Sequence, residues 1–191
     1  MSEIVLASGS RYKQRLMRRL GLSFDICPAD IDESAAPREA PEALAGRLAR
    51  QKARRVAQVR PDTWIIGADQ VIALGDKRFS KPGDELSARA QLAELSGRTH
   101  RLITAVALLS PAGEFFEDVV VFEMQMRTLA DEEIAAYVAE DMPLDCAGSY
   151  KIEAGGIRLF RALRGDDYTA IVGLPLTRVR TLLERGGYFN A

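Results

Sequence analysis

Trp64-Ile65-Ile66-Gly67-Ala68-Asp69-Gln70-Val71-Ile72-Ala73-Leu74-Gly75-Asp76-Lys77-Arg78-Phe79-Ser80-Lys81 begins with β-formers, meets a carboxylate at Asp69, and resumes its apolar pattern at Val71. Gly75-Asp76 reads as the turn of a hairpin. That turn is expected to bring Phe79 and Lys81 back toward Asp69, twelve positions upstream of Lys81. An acid at the end of an apolar run needs solvent, a metal or a cation to meet it. The plain alternative is a turn at the edge of a strand.

Upstream, Ile4 to Ala7 is a short apolar run ending in Ser8-Gly9-Ser10, and Tyr12, Leu16 and Leu20 follow at helical spacing. This reads as strand, tight loop, helix. A short strand at Phe24 to Cys27 leads into a polar loop, Pro28 to Ala40, carrying Asp30, Asp32, Glu33 and Glu39. Pro41 suits the first turn of a helix reaching about Val59. Downstream, a helix is expected from about Ser87 to Leu95. A second hairpin pairs Arg101 to Ser110 with Phe115 to Met126 across Pro111-Ala112-Gly113. Helices are expected at Asp131 to Ala139 and Pro175 to Arg185, and shorter strands at Ala147 to Lys151 and Ile157 to Leu163. Crossover helices together with hairpins imply an α/β fold with a mixed sheet flanked by helices, because a purely parallel sheet contains no hairpins.

The 191 residues, 47% hydrophobic and 28% charged, suit one globular domain spanning 1–191. Lys plus Arg (26) nearly balance Asp plus Glu (27), so no global field draws the chain to nucleic acid or membrane, and a polyanion site must be local. No run approaches the ~18 apolar residues of a membrane span, and the apolar stretch in the first residues is too short for a signal peptide, so a cytoplasmic location is expected. Cys27 and Cys146 form no ligand set and read as reduced thiols. No P-loop, dinucleotide fingerprint or zincin motif is present, and a Ser-His-Asp triad would rest on His100 alone.

Three elements point to phosphate chemistry. Ser8-Gly9-Ser10 precedes a helix bearing Arg11, Lys13 and Arg15, and a helix N-terminus with nearby hydroxyls and cations can hold phosphate. Asp30, Asp32 and Glu33 supply hard oxygen ligands for a cation such as Mg²⁺. Asp69, Lys81 and Lys52 complete the parts for metal-assisted attack of water on a phosphoryl group. The plain alternative for Arg47, Arg50, Lys52, Arg54 and Arg55 is a wet helix face.

In order, Ala7-Ser8-Gly9-Ser10, Asp32-Glu33, Gln51-Lys52-Ala53, Ile66-Gly67-Ala68-Asp69-Gln70, Lys81-Pro82, Leu95-Ser96-Gly97-Arg98-Thr99-His100 and Cys146-Ala147-Gly148-Ser149-Tyr150-Lys151-Ile152-Glu153 resemble the Maf family over essentially the whole chain. The resemblance implies a Maf-like, inosine-triphosphatase-like α/β fold with a substrate cleft. It implies hydrolysis of nucleoside triphosphates to monophosphate and pyrophosphate with a divalent metal, Mg or Mn, and a homodimer. Asp69 would be the catalytic proton acceptor. Ser8, Glu33, Lys52 and Lys81 would lie around the phosphates and the metal, with Glu33 and Asp69 holding it. Lys13 keeps positive charge where Arg11-Tyr12-Lys13 replaces the common Pro-Arg-Arg. Tyr12, Gln70 and Glu153 resemble the members acting on 7-methyl-GTP rather than those acting on dTTP and UTP. An aromatic ring attracts the cationic methylated guanine, and Glu153 can accept from the guanine edge. The alternative readings are a dTTP/UTP pyrophosphatase of the same family and a nucleotide-binding regulator of septum formation.

Overall fold

The computed structural model describes residues 3–190. Seven strands are hydrogen-bonded in the order β2-β1-β3-β5-β6-β7, with β4 paired to β3. They are β1 (Ile4–Leu6), β2 (Asp25–Ile26), β3 (Trp64–Leu74), β4 (Lys77–Phe79), β5 (Thr99–Leu109), β6 (Phe115–Met126) and β7 (Phe160–Arg164). The helices are α1 (Arg11–Met17), α2 (Pro41–Ala57), α3 (Glu85–Leu95), α4 (Asp131–Asp141), α5 (Thr169–Val172) and α6 (Leu176–Gly186). β1 pairs in parallel with β2 and β3, whereas β4 on β3 and β7 on β6 are antiparallel. The mixed sheet read from the hairpins is therefore present.

By packing, the chain forms two compact units. The first comprises the described part of Met1–Gln70, Thr104–Val120 and the described part of Asp167–Ala191; the second comprises Val71–Ile103 and Val121–Asp166. In the first, alternation along β3 sorts side chains onto two buried faces. Trp64, Ile66 and Ala68 join Ile4, Leu6, Leu16, Met17, Val179 and Leu183 on the side of α1 and α6. Ile65 joins Val5, Ala53 and Val56 on the side of α2. Gly67 belongs to the α2 face, and a Cβ there would lie 2.1 Å from Ala49 O and 2.9 Å from Ala53 N. Only glycine lets α2 approach this closely, and the approach sets the helix over the next residue of that face, Asp69.

In the second unit α3 and α4 pack on each other through Ala88, Leu92, Leu95, Ile134, Tyr137 and Val138, all buried. The hairpin at Gly75-Asp76 is present, with Leu74 opposite Lys77 and Ile72 opposite Phe79.

Some expectations need correction. The alternative of a strand-edge turn at Asp69 falls, because Asp69 lies inside the eleven-residue strand β3. Ala147 to Lys151 is not a strand, because Gly148 (φ 71°) and Ser149 (φ 63°) are left-handed and the segment forms a 3₁₀ turn. A side chain at Gly148 would meet Ile72 Cδ1 and Tyr150 Cε1 at 2.9 Å each. The expected strand at Ile157 starts three residues later, since Gly155–Leu159 is a 3₁₀ turn and only Phe160–Arg164 is extended. α5 was not anticipated, four residues being too few for a helical period to register.

Candidate active site

β1 stops at Leu6, opposite Ile66. Ala7 N still donates to Ile66 O at 2.9 Å, after which Ser8 N turns back to Leu6 O. The edge of β3 from Gly67 to Gln70 is thus no longer paired by β1, and the Ser8-Gly9-Ser10 loop lies past the carboxyl end of a parallel strand. Such ends are where open α/β sheets place ligands. Because successive residues of a strand point to opposite faces, Asp69 and Gln70 serve the two sides of this opening.

On the α2 side, Asp69 is buried, at 8% exposure. Lys52 Nζ lies 2.5 Å from Asp69 Oδ1 and 2.7 Å from Glu33 Oε1. Lys52 is one helical turn beyond Ala49, so the close approach at Gly67 fixes its reach to Asp69. Burial works against the Lys52 ammonium, but the Asp69 and Glu33 carboxylates outweigh it and hold the lysine above its ordinary range. Among the described residues no other side chain donates to the Asp69 carboxylate. Glu33 is brought in by Arg47, which donates to both Glu39 oxygens at 2.7 and 2.8 Å and to Ser34 O at 2.9 Å. Arg47 thereby straps the acidic loop onto α2.

This resolves the basic run on α2. Arg50 pairs with Glu117 and Arg55 with Gln58, so these two hold surface contacts, whereas Lys52 faces the buried acid. Of the three acids expected to offer cation ligands, Asp30, Asp32 and Glu33, only Glu33 reaches Lys52; Asp32 accepts from Ser34 N, hydrogen bonding by Ser34 lowers its pKa, and Asp30 is exposed.

On the other side, Gln70 Nε2 lies 2.8 Å from Ala170 O and 3.1 Å from both Ile171 O and Thr104 Oγ1. Thr104 Oγ1 also donates to Ala170 O, at 2.8 Å. These two side chains satisfy carbonyls that so short a helix as α5 leaves open. Ser10 caps α1, accepting from Lys13 N, and Ser8 Oγ accepts from Ser10 N. A side chain at Gly173 would meet Lys13 Cε at 3.7 Å, so Lys13 lies along α5. Tyr12 is half-buried on α1.

Lys81 and Glu153 belong to the second unit, and both are exposed. In that unit Tyr150 is wholly committed to packing. His100 Nε2 and Tyr150 Oη are 2.9 Å apart, and Tyr150 meets Phe160 edge-on. Burial alone pushes the His100 pKa down to about 4, so the ring is neutral at pH 7. His100 therefore belongs to a buried aromatic cluster.

Sequence reasoning missed Asp167. It is 3% exposed and accepts four hydrogen bonds, from Thr169 N (3.0 Å), Thr169 Oγ1 (2.5 Å), Thr177 N (2.9 Å) and Thr177 Oγ1 (2.6 Å). Burial raises its pKa, but these donors outweigh it and hold the carboxyl below the usual range. The signal available was Asp-x-Thr, a pattern in which a carboxylate commonly caps the backbone two residues on.

The family model for Maf-like proteins matches residues 3–186. The chain belongs to the Maf-like family. Within reach of this family, it is 46% identical over 188 residues to a "7-methyl-GTP pyrophosphatase" of Xanthomonas campestris pv. campestris (strain 8004), covering 98% of each chain. A protein of the same name from Nitrosococcus oceani is 44% identical over 186 residues, covering 97% of this chain and 94% of the relative. Among solved structures, a HAM1 protein from Coxiella burnetii shares the fold, with TM-score 0.51 at 16% identity, covering 100% of this chain and 99% of that one. No helix among the described residues is long and apolar enough to cross a membrane.

Proposed function

We propose that this Maf-like protein is a nucleoside triphosphate pyrophosphatase that converts 7-methyl-GTP to 7-methyl-GMP and pyrophosphate. The observation that carries it is the buried Asp69 carboxylate held by Lys52 beside an opening at the end of parallel strands. Relatives bearing the name 7-methyl-GTP pyrophosphatase, alike over nearly the whole length, support the substrate.

In this reading the triphosphate enters past Ser8-Gly9-Ser10, with Lys13 and Lys52 meeting its negative charge. Lys52 exchanges Asp69 for phosphate oxygens, which frees Asp69 to act as the proton acceptor. Water attacks the α-phosphorus, its proton passes to Asp69, a P–O bond forms and the bond to the β-phosphate bridge breaks. Pyrophosphate leaves, and the monophosphate retains the base. Tyr12 stacks on the methylated ring, and Gln70 reads its edge.

Among the described residues no three His, Cys, Asp or Glu side chains form a ready metal cluster. Two carboxylates do converge on one positive centre, the Lys52 ammonium, at 2.5 and 2.7 Å. This oxygen pair fits a hard divalent cation, Mg or Mn, so Asp69 and Glu33 are the residues that would hold it. Bound there, the cation would supply charge neutralisation for the phosphates and a more acidic water. The protein acts as one functional domain in the cytoplasm, as a homodimer, with no nucleic-acid or membrane partner.

The test is pyrophosphate release with Mg²⁺ or Mn²⁺ across 7-methyl-GTP, GTP, dTTP and UTP, for wild type and Asp69→Asn. Wild type should favour 7-methyl-GTP. Asp69→Asn should lose roughly 10²–10⁴ in kcat, the usual worth of a positioned base, with unchanged melting. Retained turnover in Asp69→Asn removes the base assignment, and preference for dTTP or UTP removes the substrate.

A further inference from the structure

Gln70 has one amide group and two chemically different ends. Its Nε2 faces three acceptors, Ala170 O, Ile171 O and Thr104 Oγ1, so a flipped amide would set oxygen against the two carbonyls. Orientation is therefore forced. The carbonyl oxygen Oε1 takes no hydrogen bond from the described residues and is not among the buried, unpartnered atoms. What Gln70 offers at the opening is a fixed acceptor.

The fixing depends on α5, a helix of four residues that has no stability of its own. Asp167 supplies what α5 lacks. Its Oδ1 holds Thr169 N and Oγ1 at the start of α5, and its Oδ2 holds Thr177 N and Oγ1 at the start of α6. Thr169 Oγ1 in turn accepts from Leu176 N at 2.8 Å, closing a clamp between the two helices. A carboxylate is required at the centre, since it alone accepts in all directions; an amide would turn an N–H toward one pair of donors.

We infer that Asp167 is a positioning residue for base recognition: by clamping α5 it pins the Gln70 amide so that Oε1 alone faces the base and selects an edge rich in N–H donors. This rests on the nucleotide pyrophosphatase reading above. Guanine presents adjacent N1–H and N2–H donors to such an acceptor. Uracil and thymine present one N–H flanked by two carbonyl oxygens, which a fixed acceptor repels.

The experiment measures kcat and KM for 7-methyl-GTP, GTP and UTP in wild type, Asp167→Asn, Thr177→Val, Gln70→Ala and the double variant Asp167→Asn/Gln70→Ala. Asp167→Asn should lower kcat/KM for both guanine nucleotides by ~10-fold, mainly through KM, while UTP changes less than about twofold. Thr177→Val removes one hydroxyl from the clamp and should move the same ratio in the same direction; it decides the matter if Asp167→Asn does not fold. In the Gln70→Ala background, replacing Asp167 should alter the guanine-to-uracil ratio no further, as expected of two residues acting through one contact. Equal losses on all three nucleotides, or an additional ratio change in the double variant, would overturn the inference by making the clamp merely structural. If wild type itself shows no guanine preference, the substrate reading fails instead, and the two failures are distinct.

Discussion

Lys52 and Lys151 both lie in stretches that resemble the family pattern, and each is ringed by oxygen, yet the oxygens differ in kind. Lys52 meets two side-chain carboxylates, Asp69 and Glu33. Lys151 Nζ meets the main-chain carbonyls of Asp141 (3.1 Å) and Met142 (3.0 Å), where α4 ends, with Asp145 at 3.4 Å. A lysine on main-chain carbonyls where a helix ends ties down that end: it donates to Asp141 O, and to Met142 O beside the bond from Leu144 N. A lysine on carboxylates neutralises charges that another cation can neutralise in its place. The first arrangement is scaffolding, and the second is exchangeable.

The largest effect separating them should come from methionine at each position. Lys52→Met should reduce pyrophosphate release by ~100-fold or more, because a cation placed where charge develops is worth ~3 kcal/mol. It should also leave Asp69 and Glu33 uncompensated, so that calorimetric titration with Mn²⁺ in the absence of nucleotide shows tighter binding than wild type. Lys151→Met should leave kcat within about twofold and instead lower stability by ~1 kcal/mol in urea, the usual worth of such hydrogen bonds. If Mn²⁺ binds Lys52→Met no better than wild type, Lys52 is not standing where a cation would go. If Lys151→Met loses turnover at full stability, the distinction by oxygen type is wrong.

The second unit carries a further scaffold group whose effect is of similar size but reads out in pH. His100 sits neutral against Tyr150 and Phe160, its pKa pushed down to about 4 by burial from an ordinary 6.5. A depressed pKa means that the unfolded chain takes up the proton first. Stability is therefore fully present above pH 6.5 and is lost as pH falls toward 4. A shift of this size corresponds to ~3 kcal/mol. Urea midpoints measured from pH 7.5 to 4 should show this loss in wild type, and His100→Phe should show a shallower pH slope even if its stability at pH 7.5 is lower. Identical slopes would mean that the ring is protonated in place.

How much of this was legible beforehand differs by residue. Gly67-Ala68-Asp69-Gln70 could be located from sequence because an acid in an apolar run is anomalous on its own terms. That Asp69 lies inside a strand was hidden, since the clearance around Gly67 depends on Ala49 and Ala53 of a helix some fifteen residues upstream. The fold class was legible from two hairpins and the strand-loop-helix at Ile4. The 3₁₀ turn at Ala147–Ser149 was not, because its apolar and aromatic neighbours mimic a strand while left-handed Gly148 and Ser149 forbid one. Arg47 looked like part of a wet helix face, and its strap on Glu39 and Ser34 is a tertiary contact that no spacing encodes. Asp167 was invisible for a related reason: its four donors come from two helices, one too short to show a period.

Substrate choice gives the smallest predicted effect, and it tests whether the first unit contributes specificity as well as charge. Tyr12 is half-buried on α1, and Lys13 beside it lies along α5 near Gly173. N7-methylation places positive charge on the guanine ring without altering its shape greatly, so a stacked tyrosine should favour 7-methyl-GTP over GTP by ~0.5–2 kcal/mol. Tyr12→Ala should narrow that gap, whereas Tyr12→Phe and Tyr12→Trp should keep most of it, because the attraction comes from the ring face and not from the hydroxyl. The ratio of kcat/KM for the two nucleotides is the measurement, since it cancels any change in the phosphate site common to both. A ratio unchanged in Tyr12→Ala would remove the stack as the source of the methyl preference. A ratio that falls equally in Tyr12→Phe would instead assign the effect to the hydroxyl and its hydrogen bonding.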